Sequence, residues 1–347
     1  MRFFLIFCFL INLYSKEMGL REQISEMIMV GFNGQKYSDK DVRIMISDLH
    51  YPRFGGVVLF GRNIQNKSQL TKLINLIKQE RQNILVAIDE EGGEVSRLVD
   101  SSFGEKTLSA YKVGANFDIN SAKIIYEKLA KKLQDCGVNM NFAPVVDLHD
   151  VNSKIIGQKE RAYSQNSQKV SLYANIFADS LHKFNIINTF KHFPGHGRSK
   201  QDSHKEKTYV NITADDIFAY REAIRLNKID TIMVGHIFVN NIDDKNPASL
   251  SNTIINLMLR KELGFDGVVI SDDMLMGGLG NYTLKEKIIK FINAGGDIML
   301  FSEFKIKNKR VGDVVYECIL DAIKNGEITK ERIKKSYKRI MKLKEKI

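Results

Sequence analysis

The chain has 347 residues, 52 Lys and Arg against 41 Asp and Glu for a formal charge of +11, 44% hydrophobic residues, four prolines, three cysteines and no tryptophan. That composition excludes a disordered chain, which lacks the apolar residues for a core, and a disulfide-rich scaffold, which needs more cysteine. Cys8, Cys136 and Cys318 stand far apart with no C-x-x-C or Cys/His spacing, and the last two read as ordinary buried thiols.

In chain order, the first element is the segment M-R-F-F-L-I-F-C-F-L-I-N-L-Y-S-K, in which a basic start leads through an apolar run, Phe3 to Leu13, into polar sequence. This is the pattern of a secretory signal, and the run is shorter than the roughly 20 apolar residues that span a bilayer. Phe7 before Cys8 does not suit a lipoprotein site, where a small residue is expected. The expectation is a signal at 1–15 and one domain at 16–347, exported or periplasmic, with an uncleaved cytoplasmic chain as the alternative.

From residue 20 onward, short apolar runs alternate with longer helical patterns. Eight runs are found: Ile28–Phe32, Gly56–Phe60, Ile84–Ile88, Val138–Ala143, Ile186–Phe190, Thr231–Gly235, Gly267–Ser271 and Asp297–Phe301. Their near-continuous apolar character fits parallel strands buried on both faces. Ser38-Asp39-Lys40-Asp41 reads as a capping box before Val42-Arg43-Ile44-Met45, and Asn166-Ser167 precedes another helical run. Eight β-α repeats without a Pro/Gly-rich linker predict an α/β fold, a single (β/α)₈ TIM-type barrel with C-terminal helices. A doubly wound open sheet has the same periodicity.

The last stretch, 327–347, carries nine Lys/Arg and three Glu, which is +6 of the +11. Ile333, Tyr337, Ile340, Met341 and Lys344 recur at helical spacing, so the expectation is an amphipathic closing helix with a solvated basic face. Contact with an anionic surface is the alternative. The charge left for the barrel is too small to argue for nucleic acid.

In a barrel, chemistry sits at the C-terminal ends of the strands. Polar groups follow five of the eight runs: Asp89-Glu90-Glu91, Asp147, Lys191-His192, His236 and Asp272-Asp273. Five groups at corresponding places describe the rim of an active site. Beyond Lys191-His192, the stretch Phe193-Pro194-Gly195-His196-Gly197 reads as a loop carrying Asp202 and His204, close enough for the carboxylate to hold the imidazole's tautomer and make a proton shuttle. A divalent metal on His192, His196, Asp202 and His204 is a second reading, against which Pro194-Gly195 breaks the helix that an i, i+4 ligand pair needs. A third is that His192 and His196 only hydrogen-bond and fix the loop. Asp272, at the end of an apolar run, is placed to act as nucleophile or electrostatic stabiliser, with Asp273 pointing elsewhere because adjacent side chains diverge. Asp89 and Arg97 flank a sharp turn at Gly92-Gly93 and suit the orienting of a polar substrate.

At these residues the sequence resembles glycoside hydrolase family 3, in its β-N-acetylglucosaminidase branch of peptidoglycan recycling. The resemblance is carried by K-H-F-P-G-H-G-x-x-x-x-D-S-H at 191–204, with G-G-V-V-L-F-G-R-N at 55–63, D-E-E-G-G-E-V-S-R at 89–97, F-A-P-V-V-D at 142–147, R-A-Y-S at 161–164, S-D-D-M at 271–274 and A-G-G-D at 294–297. It implies retaining hydrolysis of terminal β-linked N-acetylglucosamine from muropeptides or related oligosaccharides. Asp272 would be the nucleophile, His204 with Asp202 the general acid/base, and Asp89, Arg97, Arg161, Lys191 and His192 the sugar-binding residues. Family members often carry His or Gln where Glu90 stands and Arg where Glu94 stands, and neither position is carried over. The alternatives kept open are a β-N-acetylglucosaminide phosphorylase, a metal-dependent hydrolase on the same barrel and a non-catalytic sugar-binding protein. The expectation includes no cofactor or metal, no nucleic acid partner, no stable membrane association once the signal is cleaved, and a monomer or weak dimer.

Mass spectrometry of the N-terminus, on protein from separated periplasm and cytoplasm, is expected to find periplasmic chains that start at Lys16. Intact chains confined to the cytoplasm would establish the alternative.

Overall fold

A computed structural model describes residues 19–203 and 205–347. The expected signal at 1–15, Cys8 and the expected acid/base His204 lie outside the described residues. The eight apolar runs form eight strands: β1 Ile28–Gly31, β2 Gly56–Leu59, β3 Leu85–Ile88, β4 Met140–Asn141, β5 Ile187–Phe193, β6 Thr231–Val234, β7 Val268–Asp273 and β8 Ile298–Phe301. Every pairing is parallel and links neighbours in the chain, and β8 closes on β1 with Met299 opposite Ile28. Closure decides for the (β/α)₈ barrel over the open sheet. It also explains the apolar runs, since one side of each strand fills the barrel and the other meets a helix.

The helices between strands cover the barrel with apolar stripes, as Leu70, Leu73, Ile74 and Ile77 do on helix Lys67–Glu80. The expected cap at Asn166 is present, its side chain accepting from Lys169 N at 2.9 Å. Asp39 stands at a helix start but turns back. The turn at Gly34 brings two nearer N–H groups to its Oδ2, which accepts from Gln35 N at 2.7 Å and Lys36 N at 3.2 Å. Cys136 is buried and Cys318 half-buried, and both are free thiols. No described helix is long and apolar enough to cross a membrane.

Two strands run further than their apolar residues suggest. Lys191 and His192 lie inside β5, and Asp272 and Asp273 inside β7, because the ladder continues there: Val146 N donates to Lys191 O at 2.8 Å, and Asp273 stands opposite Leu300 of β8. The ladder is irregular at both ends, between Phe190 and Phe193 and beside Ile298–Leu300. Strict alternation of side chains is therefore lost where the polar residues sit.

The closing helix, Lys330–Lys344, buries Ile333 and Ile340 as expected, leaves Tyr337 and Met341 half-buried, and also buries Leu343, which the spacing did not single out. Its basic residues are not all solvated, which corrects the expectation. Lys344 is buried and donates to Glu26 Oε2 at 2.6 Å and to Gly55 O at 2.9 Å. Arg332 and Arg339 approach the fully buried Asp297, which also accepts from Arg260 Nη2 at 2.6 Å and Ser336 Oγ at 2.6 Å. Lys346 reaches Asp230. Glu26, Asp230 and Asp297 each stand just before a strand, so the helix is fastened to the N-terminal ends of β1, β6 and β8, away from the expected rim of chemistry.

Because removing one partner leaves buried charges uncompensated, Asp297→Ala is expected to cost about 3–5 kcal/mol. The fall should appear as a lower urea midpoint at unchanged slope. A loss below about 1 kcal/mol, the worth of an exposed ion pair, contradicts the role given to Asp297.

Candidate active site

The C-terminal ends of the strands surround a cavity of about 670 Å³. Asp89, Arg97, Arg161, Lys191, His192, Asp202 and Asp272 all border it, so every described residue of the expected site is brought to one place. That assembly draws on β3, β5, β7 and the loops after β3, β4 and β5.

Alternation orders the end of β3. Asp89 and Glu91 face the cavity, while Glu90, between them, turns into the following loop. The Glu90 carboxylate accepts from Ser96 Oγ at 2.5 Å, Arg97 N at 2.7 Å and Leu98 N at 3.1 Å. Burial pushes this carboxyl up, against those hydrogen bonds. Glu90 thus shapes the loop that presents Arg97. Gly92 and Gly93 make the turn at φ of 91° and 60°, with Leu108 O and Ser109 too near either position to admit a side chain.

Glu91 is the centre of the charged cluster and was not singled out from the sequence. Arg161 grips it in a fork, Nε to Oε2 and Nη2 to Oε1 at 2.8 Å each, and Lys191 Nζ lies 2.6 Å from Oε1. Burial works against the charge on Glu91, but Arg161 and Lys191 outweigh it and hold the carboxyl far below the usual range. Lys191 also donates to Asp89 Oδ1 at 2.7 Å, and Arg97 Nη2 lies 3.8 Å from Asp89 Oδ2. The Nε of Arg97 is buried without a hydrogen-bond partner, a donor that a ligand oxygen can satisfy.

Asp147, after β4, is a second residue that acts where only a rim position was expected. His192 Nδ1 lies 2.7 Å from Asp147 Oδ2, and His196 N donates to Asp147 Oδ1 at 2.6 Å. Burial opposes the Asp147 charge; His192 and the His196 N–H overcome it and keep the carboxyl below its ordinary value. Because a carboxylate only accepts and a guanidinium only donates, His192 carries its proton on Nδ1 and accepts on Nε2 from Arg161 Nη2, 3.3 Å away. Both residues followed strand ends in the sequence, and that position was the available signal.

His196 takes the loop-fixing role. Its Nδ1 bonds Ser199 Oγ at 2.6 Å and its Nε2 bonds Ser203 Oγ at 2.8 Å, which anchors the loop on either side of Asp202. With both ring nitrogens committed, His196 is a poor ligand for the metal reading. Burial, then the neighbouring His192, lowers it to about 4. Gly197 lets this loop lie against Leu148, whose carbonyl stands where a Cβ would go.

At the end of β7, Asp273 also borders the cavity instead of pointing away, a consequence of the irregular ladder. Its carboxylate is occupied: Oδ1 accepts from Leu275 N at 3.1 Å and Ser302 N at 3.0 Å. His236, expected on the rim, is buried behind it, with Nε2 donating to Asp273 O at 3.0 Å and Nδ1 bonded to Ser249 Oγ at 2.7 Å. Asp272 borders the same cavity, its Oδ1 accepting from Asp273 N at 2.8 Å, while Asp273 braces the strand end.

The profile of the Glycosyl hydrolase family 3 N terminal domain matches residues 19–343. The chain belongs to glycosyl hydrolase family 3. A beta-hexosaminidase of Tolumonas auensis is 34% identical over 286 residues, 80% of this chain and 81% of that protein. One of Haemophilus influenzae Rd is 31% identical over 312 residues, 86% and 84% of the two chains. A family 3 beta-N-acetylglucosaminidase from Paenibacillus sp. FPU-7 superposes with a TM-score of 0.85 at 29% identity, over 95% of this chain and 62% of that one. Mycobacterium tuberculosis LpqI superposes with a TM-score of 0.81 at 25% identity, over 94% of each. This family 3 chain is a glycosidase acting on O-glycosyl bonds.

A histidine held at about 4 in the folded chain takes up its proton less readily than in the unfolded chain, near 6.5. The stability that neutral His196 contributes is therefore complete above pH 6.5 and lost as pH falls toward 4. Thermal unfolding followed across that window is expected to show a steeper loss for the wild type than for His196→Gln. Equal slopes contradict the assignment.

Proposed function

We propose that this glycosidase is an exo-acting β-N-acetylglucosaminidase that removes terminal, non-reducing β-linked N-acetylglucosamine from peptidoglycan fragments with retention of configuration. The observation that carries the reading is that Asp272 and Asp202 border the same cavity as the cluster of Asp89, Glu91, Arg97, Arg161, Lys191 and His192. The beta-hexosaminidases and beta-N-acetylglucosaminidase similar to the chain support the same sugar.

In this reading the Asp272 carboxylate attacks the anomeric carbon as the bond to the leaving oxygen breaks, and His204 gives that oxygen its proton. Water then displaces Asp272 while His204 takes a proton back. Most retaining glycosidases use a second carboxyl for this shuttle, about 5 Å from the first. A histidine, with an ordinary pKa of about 6.5, can serve both half-reactions near neutral pH, the role that the resemblance gives to His204 with Asp202. Lys191, Arg97 and Arg161 hold sugar hydroxyls and the N-acetyl carbonyl, already aligned by Asp89 and Glu91 before substrate arrives. The chemistry needs no cofactor.

Turnover of a 4-nitrophenyl β-N-acetylglucosaminide tests the reading. Wild type should release the β-anomer of the free sugar first, seen by NMR, and Asp272→Ala should lose activity by a factor on the order of 10⁴. Activity that survives in Asp272→Ala sinks the proposal. Sugar 1-phosphate in phosphate buffer would establish a phosphorylase instead, since a histidine does not repel incoming phosphate, and loss with a chelator restored by zinc would establish the metal-dependent reading.

A further inference from the structure

The closing helix has no acidic residue between Arg332 and Lys344, a stretch that holds seven Lys and Arg. Arg332, Arg339 and Lys344 turn to the barrel and are paired there with Asp297 and Glu26. Lys334, Lys335, Lys338 and Lys342 are exposed, and at 3.6 residues per turn they fall within about 100° of the circumference. No ion pair among the described residues involves Lys335, Lys338 or Lys342. A shallow groove of about 390 Å³ runs beside this stripe, with Ile229, Phe265 and Leu343 in its wall together with Lys338 and Lys342. Asp230 and Asp266 also border it, and each is already paired, with Lys346 and Arg339 respectively. The face therefore combines Lys335, Lys338 and Lys342, three cations with no ion pair among the described residues, with an apolar floor.

The chain enters the described fold on the same side. Helix Leu20–Glu26 ends at Glu26, the residue that Lys344 holds, and the apolar run Phe3 to Leu13 precedes it in sequence. Basic side chains around an apolar floor complement an anionic bilayer, whose surface attracts each nearby Lys or Arg. We infer that the exposed stripe of the closing helix docks the barrel reversibly on a bilayer containing anionic phospholipid. The contact is electrostatic and salt-sensitive, and so differs from stable anchoring. It turns the N-terminal ends of the strands to the lipid and leaves the cavity, at the opposite ends, open to soluble substrate.

Co-sedimentation of the purified full chain with vesicles tests this. Wild type should bind phosphatidylglycerol/phosphatidylcholine vesicles at low salt, bind pure phosphatidylcholine vesicles at least tenfold less, and be released when salt shortens the screening length to about 3 Å near 1 M. Lys335→Gln with Lys338→Gln and Lys342→Gln, three exposed positions away from the cavity, should weaken binding at least tenfold and leave turnover unchanged. Arginine at the same three positions should restore it. Equal binding of wild type and the triple glutamine variant overturns the inference. So does equal binding to neutral vesicles, which would assign the affinity to the apolar run alone, and so does binding of duplex DNA without binding of the anionic vesicles.

Discussion

A carboxylate buried as deeply as Glu91 persists as an anion only where opposite charges meet it in fixed geometry, and much of the cavity is arranged around that requirement. Arg161 comes from the loop after β4, Lys191 from β5, and Glu91 itself from the end of β3. The three cannot pair unless the barrel has closed and those ends stand side by side. Once paired, Arg161 and Lys191 have little freedom left, and each passes on its orientation: Lys191 to Asp89, Arg161 to the Nε2 of His192. Asp147 completes the set by fixing the other nitrogen of His192 and the backbone of His196. The donors are therefore arranged before any ligand arrives, and ligand binding need not order them.

The same physics acts at the other end of the barrel with a different result. Asp297 gathers Arg260, Arg332 and Arg339, and Glu26 pairs with Arg81 and the buried Lys344. These clusters face no cavity like the one at the rim, and they fasten the last helix to the strands. The positive balance of the chain thus divides into cations that hold the fold together and cations left outward. Charge counted over the whole sequence merges the two.

Several supporting residues do their work at one remove. Glu90 shapes the loop bearing Arg97, His196 ties Ser199 to Ser203 around Asp202, and His236 braces Asp273 next to Asp272. Each is polar, buried and satisfied by hydrogen bonds. In sequence they look no different from residues that meet a ligand, because a titratable side chain after an apolar run is equally suited to chemistry and to bracing. Partners distant in the chain separate the two uses: Glu91 and Arg161, or Asp147 and His192, are far apart in sequence and 3 Å or less apart in space.

The sequence by itself determined the eight strands, their parallel character and the candidate residues at the rim, because those rest on the local pattern of apolar and polar side chains. Tertiary structure decided what no local pattern encodes. Closure of β8 on β1 chose the barrel over the open sheet, since periodicity is the same in both. The irregular ends of β5 and β7 put adjacent residues on one cavity, where alternation alone would have divided them. And the closing helix, which read as a solvated basic face, turned three of its cations inward because buried carboxylates at the strand starts required them.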